Sequence, residues 1–241
     1  MANIEKAFSN LTSLLKTNKS SWESRSRFWL NCLRQVQQVP GSNRLFDRIA
    51  NAPKSDIGDY LAELWFTVLF KELGFQIIIE PLGDGPDMKI SKQDFDIFVE
   101  VTCFREMYPG PPELSLSDTE EFVLAKYGNI RRDTNKAYTK MVSKFPQLIR
   151  TEINSSIIAV WNYDGDLEEI EMGEAVNRIC HDGIAKKISI PENLKFVVFA
   201  PWNDKHLVFA VSNSLTLAEK ELIENISQQS IFDIQRQILL L

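Results

Sequence analysis

Apolar residues fall at helical spacing from the start of the chain: Ile4, Ala7, Phe8, Leu11, Leu14 and Leu15 recur every three or four positions, as one face of an α-helix requires. Trp22, Phe28, Trp29, Cys32, Leu33 and Val36 mark a second helix, with Ser20 and Glu23 at capping-box spacing before it and Pro40-Gly41 after it. A short third helix is expected over Asn43 to Asn51. These helices carry no recognisable chemical motif. They read as an N-terminal helical extension, residues 1–52, packed on a main domain that spans 53–241.

After Pro53 the stretch SDIGDYLAELWFTVLFKELGF starts at a Ser/Asp cap, keeps Leu61, Leu64, Trp65, Val68, Leu69 and Leu73 in helical register, and stops at Gly74. Apolar groups cover most of this helix, so it is largely buried. Asp59, Glu63 and Thr67 nevertheless share one polar stripe at i, i+4 and i+8. A carboxylate on such a helix either joins a salt bridge at its rim or points into a polar or metal-containing cleft.

Three strand-like runs follow, Gln76 to Glu80, Asp87 to Ile90 and Phe95 to Thr102, separated by LGDGP and SKQD. In the third run Ile97, Val99 and Val101 share one face, and Phe98, Glu100 and Thr102 share the other. The Pro- and Gly-rich segment from Phe104 to Asp118 reads as a loop. Beyond it come a helix from about Thr119 to Lys126 and a longer one from about Asn129 to Arg150, which Pro146 bends or ends near its last turn. Strands at Ile157 to Trp161, Phe196 to Ala200 and Leu207 to Val211 alternate with helices at Glu171 to Cys180, Leu217 to Ile226 and Ile231 to Leu240. This alternation predicts an α/β protein with a mixed sheet.

Composition narrows the chemistry. Lys and Arg total 27 against 33 Asp and Glu, a formal charge of −6, so any nucleic-acid site must be a local patch. One local patch is available: Arg132, Lys136, Lys140 and Lys144 form a basic row at i+4 spacing, with Arg131 beside it. Such a row is either a phosphate-binding face or an ordinary solvated one. Cys32, Cys103 and Cys180 are scattered, which argues against a disulfide framework and a cysteine zinc site and fits a reducing cytoplasm. With only His181 and His206, a zinc hydrolase or Ser-His-Asp triad has little to draw on. No apolar h-region opens the chain and no run spans a bilayer, so a cytoplasmic protein without a membrane partner is expected.

The remaining candidates are carboxylates: Glu63 on the buried helix, Asp87 just after Gly85-Pro86, and Glu100 on the next strand. Two antiparallel neighbours can bring Asp87 and Glu100 together. Oxygen donors of this kind select a hard cation such as Mg²⁺ or Mn²⁺. In this order, with GPDMKI followed by DIFVEVT, the chain from about Ser55 to Val160 resembles the PD-(D/E)XK nuclease superfamily, the restriction-endonuclease-like fold. The resemblance implies an α-β-β-β-α-β core with a central mixed β-sheet flanked by helices. It also implies Asp87 and Glu100 as metal ligands with Glu63 joining them, Mg²⁺ (or Mn²⁺) as cofactor, and hydrolysis of DNA phosphodiester bonds.

One position departs from that pattern. The superfamily's lysine, two residues after the second acid, is Thr102 here, and a hydroxyl cannot supply the charge that orients an attacking water. Lys144, with Gln147 one turn on, is the preferred substitute; Lys89, which shares a strand face with Asp87, is the other. Arg131, Arg132, Lys136 and Lys140 would then hold the phosphate backbone. Trp161, Trp202, Tyr108 and Tyr127 would either stack on bases or fill the core, with Trp161 expected in the core. The competing readings are an inactive nuclease-fold module that binds nucleic acid or a protein partner, and an oligomer, such as a homodimer, built on the N-terminal helices and QRQILLL. An ammonium group reaching the Asp87 and Glu100 cleft discriminates between turnover and binding alone.

Overall fold

The structure is a computed structural model that describes residues 2–15, 22–53, 55–93, 95–104, 130–149, 155–162, 167–201 and 205–231. In chain order its elements are α1 (Ala2–Leu15), α2 (Trp22–Val36), α3 (Ser42–Asn51), α4 (Ile57–Glu72), β1 (Gln76–Ile79), β2 (Met88–Lys92), β3 (Phe95–Phe104), α5 (Ile130–Ser143), α6 (Phe145–Ile149), β4 (Ser156–Asn162), α7 (Glu169–Ile184), β5 (Leu194–Ala200), β6 (Leu207–Ala210) and α8 (Leu217–Gln228). The expected loop and helix across residues 105–126, the Ser20 cap and the helix proposed beyond Ile231 lie outside the described residues. No helix among those described is long and apolar enough to cross a membrane.

The six strands form one mixed sheet in sequence order, β1-β2-β3-β4-β5-β6. The first three make an antiparallel meander, β3, β4 and β5 run parallel, and β6 returns antiparallel. Parallel neighbours need a crossover; α5 and α6 lie in the first and α7 in the second. The expected α/β fold with a central mixed sheet flanked by helices is therefore present.

Strand periodicity divides the core. Ile97, Val99, Val101, Ile157, Ala159, Phe196 and Val198 pack with α1–α4 and α8, whereas Ile158, Val160, Val197 and Phe199 pack with α5–α7. Every residue of β4 is buried, as a central parallel strand covered on both faces demands. The N-terminal helices have no separate core: Ala7, Leu11, Leu33, Leu45 and Phe46 belong to the same cluster as α4 and the sheet.

Two local features aim the chemistry. Gly41 has φ +87°, and a Cβ there would lie 2.2 Å from the Ile79 carbonyl oxygen. Only glycine accepts both the left-handed backbone and the close approach. With the Ile79 N–H donating to the Pro40 carbonyl at 2.9 Å, this turn docks α3 against the sheet's edge strand. The second feature is the helix expected over 129–150, which is two helices broken at Lys144. Pro146 lacks an N–H and its ring opposes the carbonyl four residues earlier, so the regular ladder ends ahead of it. Lys144 occupies the gap.

Candidate functional site

The polar stripe of α4 divides among three destinations. Thr67 is fully buried, and its hydroxyl donates back to the Glu63 carbonyl at 2.7 Å, a bond that satisfies a side chain without leaving the helix. Asp59 Oδ1 accepts the Cys103 backbone N–H at 3.1 Å and stands 3.5 Å from Lys140 Nζ. Glu63, only 5% exposed, meets Arg48 of α3: Arg48 Nη2 lies 2.5 Å from Glu63 Oε2. The other fork nitrogen, Nη1, lies 3.0 Å from Glu80 Oε1. Glu80 adopts φ +49° at the end of β1, and its N–H donates to the Asp87 carbonyl at 2.7 Å. That uncommon backbone for a non-glycine residue sits where the carboxylate meets α3.

Asp87 and Glu100 come together from adjacent strands. The Met88–Val99 pairing sets the β2–β3 register, and Asp87 Oδ2 accepts the Val101 N–H at 2.7 Å. Glu100 is 1% exposed and turned away from the α4 face. Its Oε1 accepts Lys144 Nζ at 2.6 Å, whereas its Oε2 is buried with no hydrogen-bond partner among the described residues. Thr102, on the same strand face, also leaves its Oγ1 buried and unpartnered. Lys144, supplied by the break before α6, thus stands on Glu100. Lys89 does not reach this place: it pairs with Asp96 at 2.7 Å.

Charge in the cluster is unbalanced. Burial, then the neighbouring Asp87, pushes the Glu100 carboxyl up to about 8, against the pull of Lys144. Burial also raises Asp87, opposed by Lys144, the Val101 N–H and Arg48. Glu63 is raised by burial and by Asp87 despite its Arg48 partner. Burial alone would lower the Lys144 ammonium, but Glu100 and Asp87 outweigh it and hold the group above its ordinary value. Four carboxyl groups, Glu63, Glu80, Asp87 and Glu100, share three cations: Arg48, Lys144 and the exposed Arg44, which lies 3.6 Å from Glu80. Buried carboxyl groups in such a deficit either bind protons or attract another cation.

The expected ligand trio does not converge. Among the described residues no group of three or more His, Cys, Asp or Glu side chains is arranged to hold a metal ion. The reason is visible in the partners: Glu63 faces Arg48, while Asp87 and Glu100 face each other and Lys144.

The basic row is also redistributed. Arg132 closes on Asp133 at 2.9 Å, and Lys140 Nζ donates to the Cys103 carbonyl. Lys136 Nζ is buried with no hydrogen-bond partner among the described residues, and Lys144 serves Glu100. Arg131 is exposed beside a 590 Å³ pocket that Thr134, Asn135, Glu174 and Arg178 also line. The row is therefore not one solvated face: its C-terminal half ties α5 to the end of β3. Trp161 is buried and meets Trp29 edge-on at 5.7 Å; Trp202, Tyr108 and Tyr127 lie outside the described residues.

Arg48 and Glu80 were not among the sequence candidates. The available signal was the i, i+4 pair Arg44 and Arg48 on the polar side of a short amphipathic helix, opposite Leu45 and Ile49. Nothing in that spacing indicates that the helix lies over Glu63. The extension read as lacking chemistry supplies two of the cluster's three cations, Arg48 and the more exposed Arg44.

In class, then, the chain is an α/β protein with a buried, acid-rich ionic cluster spanning α3, α4, β2, β3 and the α5–α6 junction. No family model, curated protein or solved structure matches it.

Proposed function

We propose that this protein is a divalent-metal-dependent phosphodiesterase of restriction-endonuclease-like type that hydrolyses DNA. The observation that carries the reading is Lys144 Nζ at 2.6 Å from Glu100 Oε1, with Asp87 alongside and Glu100 Oε2 left without a partner. The succession α4-β1-β2-β3-α5-β4, with an antiparallel meander followed by a parallel strand, has the order of that superfamily's core.

The residues present fit a hard cation. An orphaned buried carboxylate oxygen and a carboxyl raised to about 8 mark a deficit of positive charge, and Mg²⁺ is commonly held through one or two carboxylates with waters completing its shell. Asp87 and Glu100 would hold it. When bound, the ion supplies a more acidic water and neutralises charge on the phosphate.

The protein's own groups divide the remaining work. Lys144 keeps its proton at neutral pH and presents a cation beside Glu100, which orients an attacking water and a phosphate oxygen electrostatically. The Val101 N–H fixes the Asp87 carboxylate. Exposed Arg131 is available to backbone phosphate, a contact that positions DNA without reading sequence. Lys144 paired with Glu100 favours turnover over a module that only binds.

Cleavage of supercoiled, linear and single-stranded DNA with Mg²⁺ or Mn²⁺ tests this reading, with Asp87→Ala and Glu100→Ala as controls. Activity in the wild type that disappears in both variants is expected. Folded wild-type protein without metal-dependent cleavage of any substrate would overturn it and favour the binding module.

A further inference from the structure

We propose that Arg48 limits this site to one divalent ion, acting as a permanent cation where a second ion would otherwise bind. This rests on the metal-dependent reading above and deepens it. Two-ion phosphodiesterase sites hold their metals about 3.5–4 Å apart on shared carboxylates, so a second ion beside Asp87 would need oxygens from Glu63 or Glu80. Arg48 occupies both: Nη2 lies 2.5 Å from Glu63 Oε2 and Nη1 3.0 Å from Glu80 Oε1.

A guanidinium suits that post. It cannot be titrated away, and its planar fork spans two carboxylates, whereas an ammonium is a single point charge. Here the fork joins α4 to the end of β1, and the guanidinium carbon lies 5.1 Å from the Tyr60 ring centroid. Its placement depends on the N-terminal layer, since the Pro40-Gly41 turn docks α3 on the edge strand. The cluster thus has two unlike poles. Glu63 is served by Arg48 and Glu80 by Arg48 and, more loosely, the exposed Arg44 at 3.6 Å, whereas Glu100 shares Lys144 with Asp87 and keeps an oxygen with no partner among the described residues. Arg48 is a positioning residue: it leaves Asp87 and Glu100 as the pair that holds the ion.

The test counts Mn²⁺ per full-length chain by titration calorimetry and by electron paramagnetic resonance, which distinguishes an isolated ion from a spin-coupled pair. One isolated ion is expected in the wild type, a coupled pair in Arg48→Met, and one ion again in Arg48→Met with Glu63→Gln. A coupled pair in the wild type, or one ion in both the wild type and folded Arg48→Met, overturns the proposal while leaving metal dependence standing. No bound Mn²⁺ in any form overturns both. Glu63→Gln with Arg48 intact provides a check that does not require Arg48→Met to fold. Its Mn²⁺ affinity should stay within about threefold of wild type, and weakening beyond about tenfold would make Glu63 a ligand and overturn the assignment.

Discussion

Two acidic centres flank the α5–α6 unit, and they are built in opposite senses. Asp182 of α7 accepts the Tyr138 hydroxyl at 3.0 Å and has Lys187 at 3.1 Å and Arg178 at 3.6 Å. Hydrogen bonds from Lys187 and Tyr138 hold its carboxyl below the ordinary aspartate range. Glu100 has one cation, an acidic neighbour and an unpartnered oxygen, and its carboxyl rises to about 8. Surplus cations make an anchor between two helices; surplus carboxylates, on the function proposed above, make a place for a ligand. The sign of the imbalance, more than the presence of an ion pair, distinguishes scaffold from site.

The largest expected effect is at Glu100. Glu100→Gln should reduce metal-dependent DNA cleavage by about 10³-fold or more, a transition-state loss of about 4 kcal/mol, in single-turnover assays on protein whose circular dichroism is unchanged. Lys144→Met should cost about 10²- to 10⁴-fold, the range for a positioned proton-handling group; Lys144→Arg restoring part of that rate would identify charge as the requirement. Equal activity in Lys144→Met and wild type would remove Lys144 from the mechanism and with it the contrast between the centres.

His206 offers a third case, a buried group with a large shift and no charged partner among the described residues. Its ring stacks on Trp65 at 6.1 Å, Nδ1 lies 3.4 Å from the Gln229 carbonyl, and Nε2 has no partner. Burial lowers its pKa to about 4. The folded protein therefore keeps the ring neutral while the unfolded chain takes up a proton below pH 6.5. Stability from this group is present above about pH 6.5 and declines as pH falls toward 4, by about 3 kcal/mol at most. In urea unfolding, wild type should lose stability relative to His206→Leu as pH falls across that window; a parallel pH dependence would refute the assignment.

Smaller effects separate the scaffold from the cluster. Gly41→Ala should destabilise by about 1–2 kcal/mol from its backbone angle alone, with a further steric cost at the Ile79 carbonyl, readable by chemical denaturation. Asp182→Asn should lower the melting temperature slightly and leave DNA cleavage per folded molecule unchanged. Its stability contribution is present above the ordinary aspartate range and is lost as pH falls through the lowered folded value. A cleavage defect in Asp182→Asn comparable to that of Glu100→Gln would erase the distinction on which the comparison rests.

The elements themselves were readable along the chain because their signals are local. Apolar spacing located α1–α4, the meander and the later alternation to within a few residues, and alternation along β3 put Glu100 and Thr102 on the face opposite Ile97, Val99 and Val101. Proline chemistry foretold a break near Pro146, although the break falls earlier, at Lys144. Asp87 and Glu100 were legible as neighbours because an antiparallel hairpin relates its residues through a short turn. The destinations of long side chains were not legible. Whether Lys144 or Lys89 would reach Glu100, and whether Glu63 would face its fellow acids or Arg48, depends on how α3 and the α5–α6 junction pack across the sheet. Periodicity is a property of neighbouring positions, whereas an ion pair between Arg48 and Glu63 or Lys144 and Glu100 forms only when distant elements meet in space; the sequence alone determined the parts and their faces, and tertiary packing decided which charges were left without partners.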